Sequence, residues 1–192
     1  MARPKEFDQQ KVLQKAMEVF WSKGYESASM QDLVNHMGIN RQSIYDTYGG
    51  KHALFLSALD QYQKENSERF YQILNGSGTP IENIRNLFAT LIEHCTSDRD
   101  RKGCLLANSA VELSPHCPKT HKRVMDTFQE IEMGFYQTLE KARARGEIDD
   151  HKDLHALARF LLNAMQGLMV MAKVKPDKKI LVDITETTLS AL

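Results

Sequence analysis

The chain lacks an excess of charge of either sign, because its 25 Lys and Arg residues are balanced by 25 Asp and Glu residues. The bulk charge therefore gives no support for binding to nucleic acid or to an acidic membrane surface. The first 52 residues are almost as balanced, with seven basic and six acidic side chains. Any contact with nucleic acid would therefore depend on the positions of individual side chains.

Cysteine is also scarce, with three residues among 192. This number argues against a disulfide scaffold in a chain of this size. Several Cys and His residues occur in one region without the spacing of a structural zinc site: His94, Cys95, His116, Cys117 and His121. We expect no disulfide, no metal and no other cofactor.

Targeting signals and long uncharged hydrophobic runs are missing. Residues 1–8 are polar and precede an amphipathic helical pattern, which is unlike a signal peptide. The most apolar stretch, 154–174, contains Arg159, Asn163 and Gln166. It falls short of the roughly 18 uncharged residues expected of a membrane span. We expect a cytoplasmic protein that does not contact a membrane.

Neither the alternating pattern of β-strands nor an internal repeat occurs. Apolar residues recur at helical spacing in every long segment, with a clear break at residues 75–80. The sequence therefore predicts an all-α fold of about nine helices. Gly-rich phosphate loops, nucleophile elbows and paired-carboxylate motifs are missing, so we expect a protein that is not an enzyme. An all-helical enzyme and a helical protein-interaction module remain as alternatives.

The most informative pattern that is present lies in residues 29–51. Ser29 is placed to cap a helix, and Asp32, three residues on, can bond back to the cap. Gly38 supplies the left-handed conformation that closes this helix, and Asn40 can cap a second, very short one that ends at a glycine pair. The pattern predicts two short helices joined by a tight turn.

The second short helix, predicted over residues 41–48, has Ile44 and Tyr48 on its inner side. Its outer side offers Arg and Gln side chains, which can bond bidentately to guanine and adenine edges. Tyr45 and Lys51 flank this face with groups that bind phosphates. The pattern favours a helix-turn-helix that recognises DNA over an ordinary corner of an all-α protein.

This segment resembles the DNA-binding region of the TetR/AcrR family of bacterial transcriptional repressors. The matching positions are Gly38, Ile39, Asn40, Ile44, Tyr45, Tyr48 and Lys51. The resemblance extends from Asp8 to about Leu59 and includes the end of the first helix, residues 20–25. The chain departs from the common family pattern at Asp46, Thr47 and His52.

The resemblance implies a helix-turn-helix DNA-binding domain over residues 1–50, with the motif itself at about 29–48. A helical ligand-binding and dimerisation domain would then occupy residues 51–192. By the same resemblance, the residues that contact phosphates would be Ser29, Tyr45 and Lys51. Those that face the bases of double-stranded DNA would be Gln31, Arg41, Gln42, Ser43 and Thr47.

A second informative segment, residues 160–172, is apolar nearly all round. A peripheral helix of this kind needs a cover for its outer side, and we expect a second copy of the chain to supply it. The predicted dimer interface consists of Phe160, Ala164, Gly167, Leu168, Ile184 and Leu189. The alternative is a core helix wrapped by its own domain. A two-fold dimer would match an inverted-repeat operator.

The resemblance also implies a small-molecule effector that enters a cavity in the larger domain and acts through the helix after Lys51. The candidate lining residues are Phe88, Ile92, Cys104, Leu105, Asn108, Phe128, Phe135 and Phe160. The alternative for each of them is an ordinary core position.

Cys104 is a further candidate, for redox sensing. It begins a short predicted helix directly after Arg101 and Lys102, and both the helix dipole and these cations would lower its pKa. An inert buried thiol is the alternative. Taken together, the sequence predicts a homodimeric repressor that a small molecule, an electrophile or an oxidant releases from its operator.

Overall fold

The computed structural model describes residues 7–97 and 101–192. This part of the chain contains nine α-helices and no β-strand, which confirms the predicted all-α fold. The helices are α1 Gln9–Lys23, α2 Met30–Met37, α3 Arg41–Tyr48, α4 Lys51–Leu74, α5 Pro80–Ser97, α6 Leu105–Glu112, α7 Pro118–Ala144, α8 Leu154–Val174 and α9 Lys178–Leu189.

The caps of α2 and α3 fix the turn between them. Ser29 Oγ accepts a hydrogen bond from the Asp32 amide at 3.0 Å, and Asp32 Oδ2 accepts one from the Ser29 amide at 2.9 Å. Gly38 ends α2 with φ +72°, a left-handed conformation that favours glycine. Asn40 Oδ1 then accepts a bond from the Ser43 amide at 2.8 Å and starts α3. The helix ends predicted from the sequence are confirmed.

The buried apolar residues form two cores. The first joins α1, α2, α3 and the first half of α4 to α6 and the start of α7, and the second joins the end of α4 to α5, α7, α8 and α9. The division falls within α4, between Tyr62 and Phe70. Because α4 belongs to both cores, it connects the N-terminal unit, defined here as α1–α3, directly to the larger helical domain.

Among the described helices, α8 is the one long and apolar enough to cross a membrane by length and composition. Its buried side chains, among them Leu161, Met165 and Leu168, belong to the second core. The helix packs against α5, α7 and α9. One face of α8 is therefore buried in the helix bundle, as in a core helix.

Candidate DNA-binding surface and effector cavity

Helix α3 presents a polar outer face. Arg41, Gln42 and Tyr45 are exposed, while Ser43 and Thr47 are half-buried. Within this face, the Arg41 guanidinium lies 6.0 Å from the centre of the Tyr45 ring. The arrangement follows from the complete burial of Ile44 on the opposite side of the helix, which fixes how α3 is rotated.

The exposed amide of Gln42 is held by its own helix, because Nε2 donates to Asp46 Oδ1 at 2.7 Å. On α2, Gln31 makes the equivalent contact with Asn35 Oδ1, also at 2.7 Å. Both amides are thus oriented by their own helices, and a side-chain amide is a group that can bond bidentately to an adenine edge.

The start of α2 carries an acidic side chain that is already paired. Lys23 Nζ lies 2.6 Å from Asp32 Oδ1, and the Ser29 hydroxyl donates to Asp32 Oδ2 at 2.7 Å. The hydrogen bond from Lys23, followed by those from Ser29, holds the pKa of Asp32 well below its ordinary value. The pairing with Lys23 offsets the negative charge of Asp32 at the start of α2.

Lys51 is the first residue of α4, and its position is set by neighbouring groups. Nζ lies 4.4 Å from the centre of the Tyr25 ring and 3.4 Å from the carbonyl oxygen of Glu26. The N-cap residue, Gly50, provides no side-chain cap, so the first amides of α4 remain available. Free amides at a helix N-terminus are an arrangement that can bind phosphate, and here the first residue of the helix also carries an ammonium group.

Gly50 also allows the close approach of Tyr45. Its φ of +121° is outside the range of ordinary L-residues, and a Cβ atom at this position would lie 3.2 Å from Tyr45 Cε1. The glycine therefore permits both the sharp junction between α3 and α4 and the packing of the Tyr45 ring against it.

The larger domain contains a cavity of about 140 Å³. Its walls come from α4, α5, α7, α8, the start of α6 and the segment before it, with lining residues that include Tyr62, Phe70, Leu91, Cys104, Met165 and Gln166. A cavity of about 150 Å³ lined by apolar groups can hold a benzene ring, so this space suits the apolar part of a small molecule. The buried Oε1 of Gln166 has no hydrogen-bond partner among the described residues.

Of the lining residues expected from the sequence, Cys104 alone faces this cavity. Phe88 and Phe135 are completely buried in the second core, where their ring centres are 6.4 Å apart. Phe160 is 43% exposed on the outside of α8. The remaining candidates also lie outside the lining: Ile92, Leu105, Asn108 and Phe128. Helical spacing identified apolar positions, but it does not distinguish packed ones from those beside empty space.

The pattern of the sequence did not predict that one face of α4 lines the cavity. This face consists of Tyr62, Gln63, Asn66, Ser67, Arg69, Phe70 and Ile73. Polar residues on the same helical face as large apolar residues are the sequence signal that could have indicated it.

The predicted lowering of the Cys104 pKa is wrong. Cys104 does cap α6, with Sγ accepting from the Ala107 amide at 3.5 Å, as its position at a helix start suggested. It is only 6% exposed, however, and burial raises the pKa of its thiol. Removal from water outweighs the helix dipole, because a buried thiolate loses its hydration.

The outer side of α8 carries an exposed, mostly apolar stripe that consists of Phe160, Asn163, Gly167, Val170, Met171 and Val174. Two residues expected at this face point inward instead, since Leu168 and Leu189 are 1% and 4% exposed and pack in the second core. The expected positions Ala164 and Ile184 are partly buried against the same core. The unpartnered surface therefore extends further toward the C-terminal end of α8 than the sequence indicated.

Comparison with known proteins agrees with this architecture. Residues 12–58 match the family of bacterial regulatory proteins of the tetR type, and residues 80–187 match the tetracyclin repressor-like C-terminal domain. The chain is 39% identical to the helix-turn-helix transcriptional regulator YezE of Bacillus subtilis, with 100% of both chains covered. It is 31% identical to the transcriptional repressor ComR of Escherichia coli K12, over 97% of this chain and 90% of that protein.

Among solved structures, the chain is similar to a cysteine mutant of the TetR family regulator CifR complexed with 26-base-pair operator DNA. The TM-score is 0.89 at 29% identity, and 99% of each chain is covered. The reduced form of NemR from E. coli, 15% identical with a TM-score of 0.85, shares the fold. The chain belongs to the TetR family and is a bacterial transcriptional regulator.

Proposed function

We propose that the protein is a homodimeric repressor that binds an inverted-repeat operator and is released when a small molecule occupies the cavity of the larger domain. One observation carries this proposal. Only two residues separate α3 from α4, and the far half of α4 forms a wall of the cavity. A ligand that displaces this wall also displaces the start of α4, where Lys51 lies.

The DNA-binding part rests on the composition and exposure of α3. Arg41 and Gln42 offer donors that suit base edges in the major groove, and Tyr45 and Lys51 offer donors for phosphates on either side. An α-helix of eight residues makes few contacts, so one copy binds weakly. CifR, which is similar over the whole chain, has been solved with double-stranded operator DNA.

The homodimer rests on the exposed apolar stripe of α8. Val174 is 74% exposed and Val170 is 55% exposed on the outer side of α8. A second copy of the same stripe, related by a two-fold axis, would remove both from water. Two copies of α3 on such a dimer would address two half-sites of opposite orientation.

The effector part rests on the lining of the cavity. Its described side chains include the cations Arg69, Arg101 and Lys173 but no carboxylate, and the body of the cavity is apolar. The unpartnered Gln166 Oε1 offers an acceptor. An effector with an apolar body, a hydrogen-bond donor and an anionic end fits this lining.

Selection from random double-stranded DNA, followed by sequencing, tests the regulator. A repressor of this kind enriches one inverted repeat, whereas an all-helical enzyme or a protein-interaction module enriches no sequence. The protein acts in the cytoplasm, where bacterial DNA is accessible to it. Repression, as opposed to activation, is tested by transcription in vitro from a promoter that carries the selected site.

Thermal unfolding in the presence of small apolar carboxylic acids tests the effector class. Each acid should raise the unfolding temperature more than its uncharged primary amide, because only the acid interacts with the cations of the lining. The amide serves as the matched control for shape. An equal shift with both compounds would contradict the proposal that the effector has an anionic end. A shift with neither compound would contradict this ligand class.

A further inference from the structure

A cysteine and a histidine from distant parts of the chain meet where the N-terminal unit joins the larger domain. Cys117 is the N-cap residue of α7, and His52 is the second residue of α4. His52 Nε2 lies 3.2 Å from Cys117 Sγ. The pair therefore bridges the helix that follows α3 and the longest helix of the larger domain.

A third side chain faces this pair. The hydroxyl of Thr120, the third residue of α7, is fully buried and has no hydrogen-bond partner among the described residues. A buried hydroxyl without a competing acceptor can donate to a nearby thiolate, and this effect lowers the pKa of Cys117. The N-terminal amides of α7, a helix of 27 residues, also favour negative charge at its cap.

These groups act on the thiol together. The Thr120 hydroxyl first, then its amide and the His52 imidazole, lower the pKa of Cys117 to about 7. Arg123 on α7 adds positive charge nearby, held by Asp60 of α4 at 2.6 Å. Tyr25, from the segment between α1 and α2, also faces the sulfur, and burial raises the pKa of its phenol.

Cys117 differs from Cys104 in access to solvent. Cys117 is only half-buried, whereas Cys104 is buried and its pKa is raised. A thiol needs both thiolate character and access in order to react. Cys117 has both, and it lies outside the lining of the cavity.

We propose that Cys117 and His52 form a covalent modification site for soft carbon electrophiles of the α,β-unsaturated carbonyl class. The thiol proton passes to His52, and the sulfur lone pair forms a C–S bond to the β-carbon. The π electrons of the C=C bond move toward the carbonyl, and the α-carbon takes the proton back from the imidazolium. The product is a thioether, and no oxidant or reductant is consumed.

The adduct also has a structural consequence, which rests on the proposed function. A thioether has no proton to share with His52 Nε2, 3.2 Å from the sulfur, and its carbon substituent adds bulk beside the first turn of α4. Lys51 is the neighbour of His52 in that turn. Alkylation therefore displaces the phosphate-binding end of α4 and weakens operator binding.

The chemical part is tested by treating the intact protein at pH 7 with a limiting amount of N-ethylmaleimide, a maleimide of this class, and locating the adduct by peptide mass spectrometry. A pKa of about 7 in place of 9.0 gives roughly 50-fold more thiolate, and the weaker nucleophilicity of a low-pKa thiolate removes about 8-fold of this gain. Cys117 should therefore react about 6-fold faster than an ordinary exposed thiol, measured with a Cys-containing peptide, and faster than Cys104. Reaction no faster than that of Cys104 would overturn the site.

Matched variants distinguish an alkylation rate that depends on the Cys117–His52 pair from one that depends only on the solvent exposure of Cys117. His52→Gln should slow the alkylation of Cys117 several-fold, whereas His116→Gln, a change at an exposed histidine next to Cys117, should leave the rate unchanged. Thr120→Val provides a second variant that removes the hydroxyl and keeps the shape. Unfolding temperatures identify a variant that has lost its fold. If a folded His52→Gln and a folded Thr120→Val both react at the parent rate, the proposal is wrong.

Binding to the selected operator tests the consequence. Alkylated protein should bind more weakly than untreated protein, and Cys117→Ser should bind equally before and after treatment. Selective alkylation with unchanged affinity would overturn the displacement of α4. If untreated protein selects no operator, the proposed function fails, and the alkylation rates still decide the modification site.

Discussion

The indole Nε1 of Trp21 donates a 2.8 Å hydrogen bond to the carbonyl of Gly103, a residue that lines the cavity. At the other end of α6, the carboxylate of Glu112 accepts hydrogen bonds from the amides of Tyr25 and Glu26 at 3.0 Å and 2.9 Å. Helix α6 is therefore tied to the N-terminal unit at both ends. This is a second connection, besides α4, between the cavity and the DNA-binding surface.

Trp21→Phe should lower the free energy of unfolding by about 0.5–1.5 kcal/mol, because the carbonyl of Gly103 loses its donor while an aromatic ring is retained. Urea unfolding followed by circular dichroism measures this change. Tryptophan fluorescence is unsuitable because Trp21 is the only tryptophan and the variant removes it. Ser22→Ala, which removes a local bond to the Val19 carbonyl, is the control and should have a smaller effect. Equal stability of the Trp21→Phe and parent proteins would contradict the contact.

Lys51→Ala should weaken binding to all DNA sequences and reduce the slope of log affinity against log salt concentration by about 1, because one phosphate contact is lost. Lys64→Ala, on the exposed face of the same helix, is the matched control and should leave the slope unchanged. Titration of labelled operator at several salt concentrations measures both. An unchanged affinity for Lys51→Ala would remove Lys51 from the phosphate contacts.

Arg41→Ala and Gln42→Ala should relax the preference at particular base pairs by about 1–3 kcal/mol each, because each side chain can make a bidentate contact to a base edge. Repeating the selection from random DNA with each variant measures the preference at every position. Gln61→Ala, whose amide makes a similar contact within α4, provides the control. A variant that retains the full parent preference would show that its side chain faces no base.

Gly50→Ala should destabilise the protein more than Gly38→Ala. Both positions have positive φ, but the φ of +121° at Gly50 is almost confined to glycine, and its added Cβ would lie 3.2 Å from Tyr45. At Gly38 the new methyl group meets nothing within 4 Å, so the cost is about 1–2 kcal/mol from the left-handed conformation. Thermal unfolding of both variants measures the order, and a smaller loss at Gly50 would reverse it.

Val170→Asp should convert the proposed dimer to monomer, because it places a charge in the apolar stripe of α8. Val111→Asp, at an even more exposed valine on α6, is the matched control and should leave the dimer intact. Light scattering after size-exclusion chromatography gives the mass of each. A dimer that survives Val170→Asp would place the interface elsewhere.

The helix-turn-helix could be predicted from the sequence because its determinants are local. Helix α2 is bounded by the capping pair Ser29 and Asp32 and by the left-handed Gly38. These residues act within a few positions of one another, so their spacing in the sequence predicts the geometry. The burial of Ile44 likewise follows from helical spacing.

The cavity and the inward orientation of Leu168 could not be predicted in this way. Both depend on how several helices pack, and an apolar residue has the same appearance in the sequence whether it meets a neighbour or a void. The raised pKa of Cys104 has the same origin, since burial by distant segments outweighs the local helix start.

The sequence by itself determined the helices, their ends, and the polar face of the short helix with its Arg41 and Gln42. These features depend on hydrogen bonds and spacing within one or two helical turns. Only the tertiary structure decided that Cys117 meets His52. The two residues are 65 positions apart in the sequence and come together through the packing of α4 against α7. Long-range packing brings such groups together, and no local pattern along the chain encodes that distance.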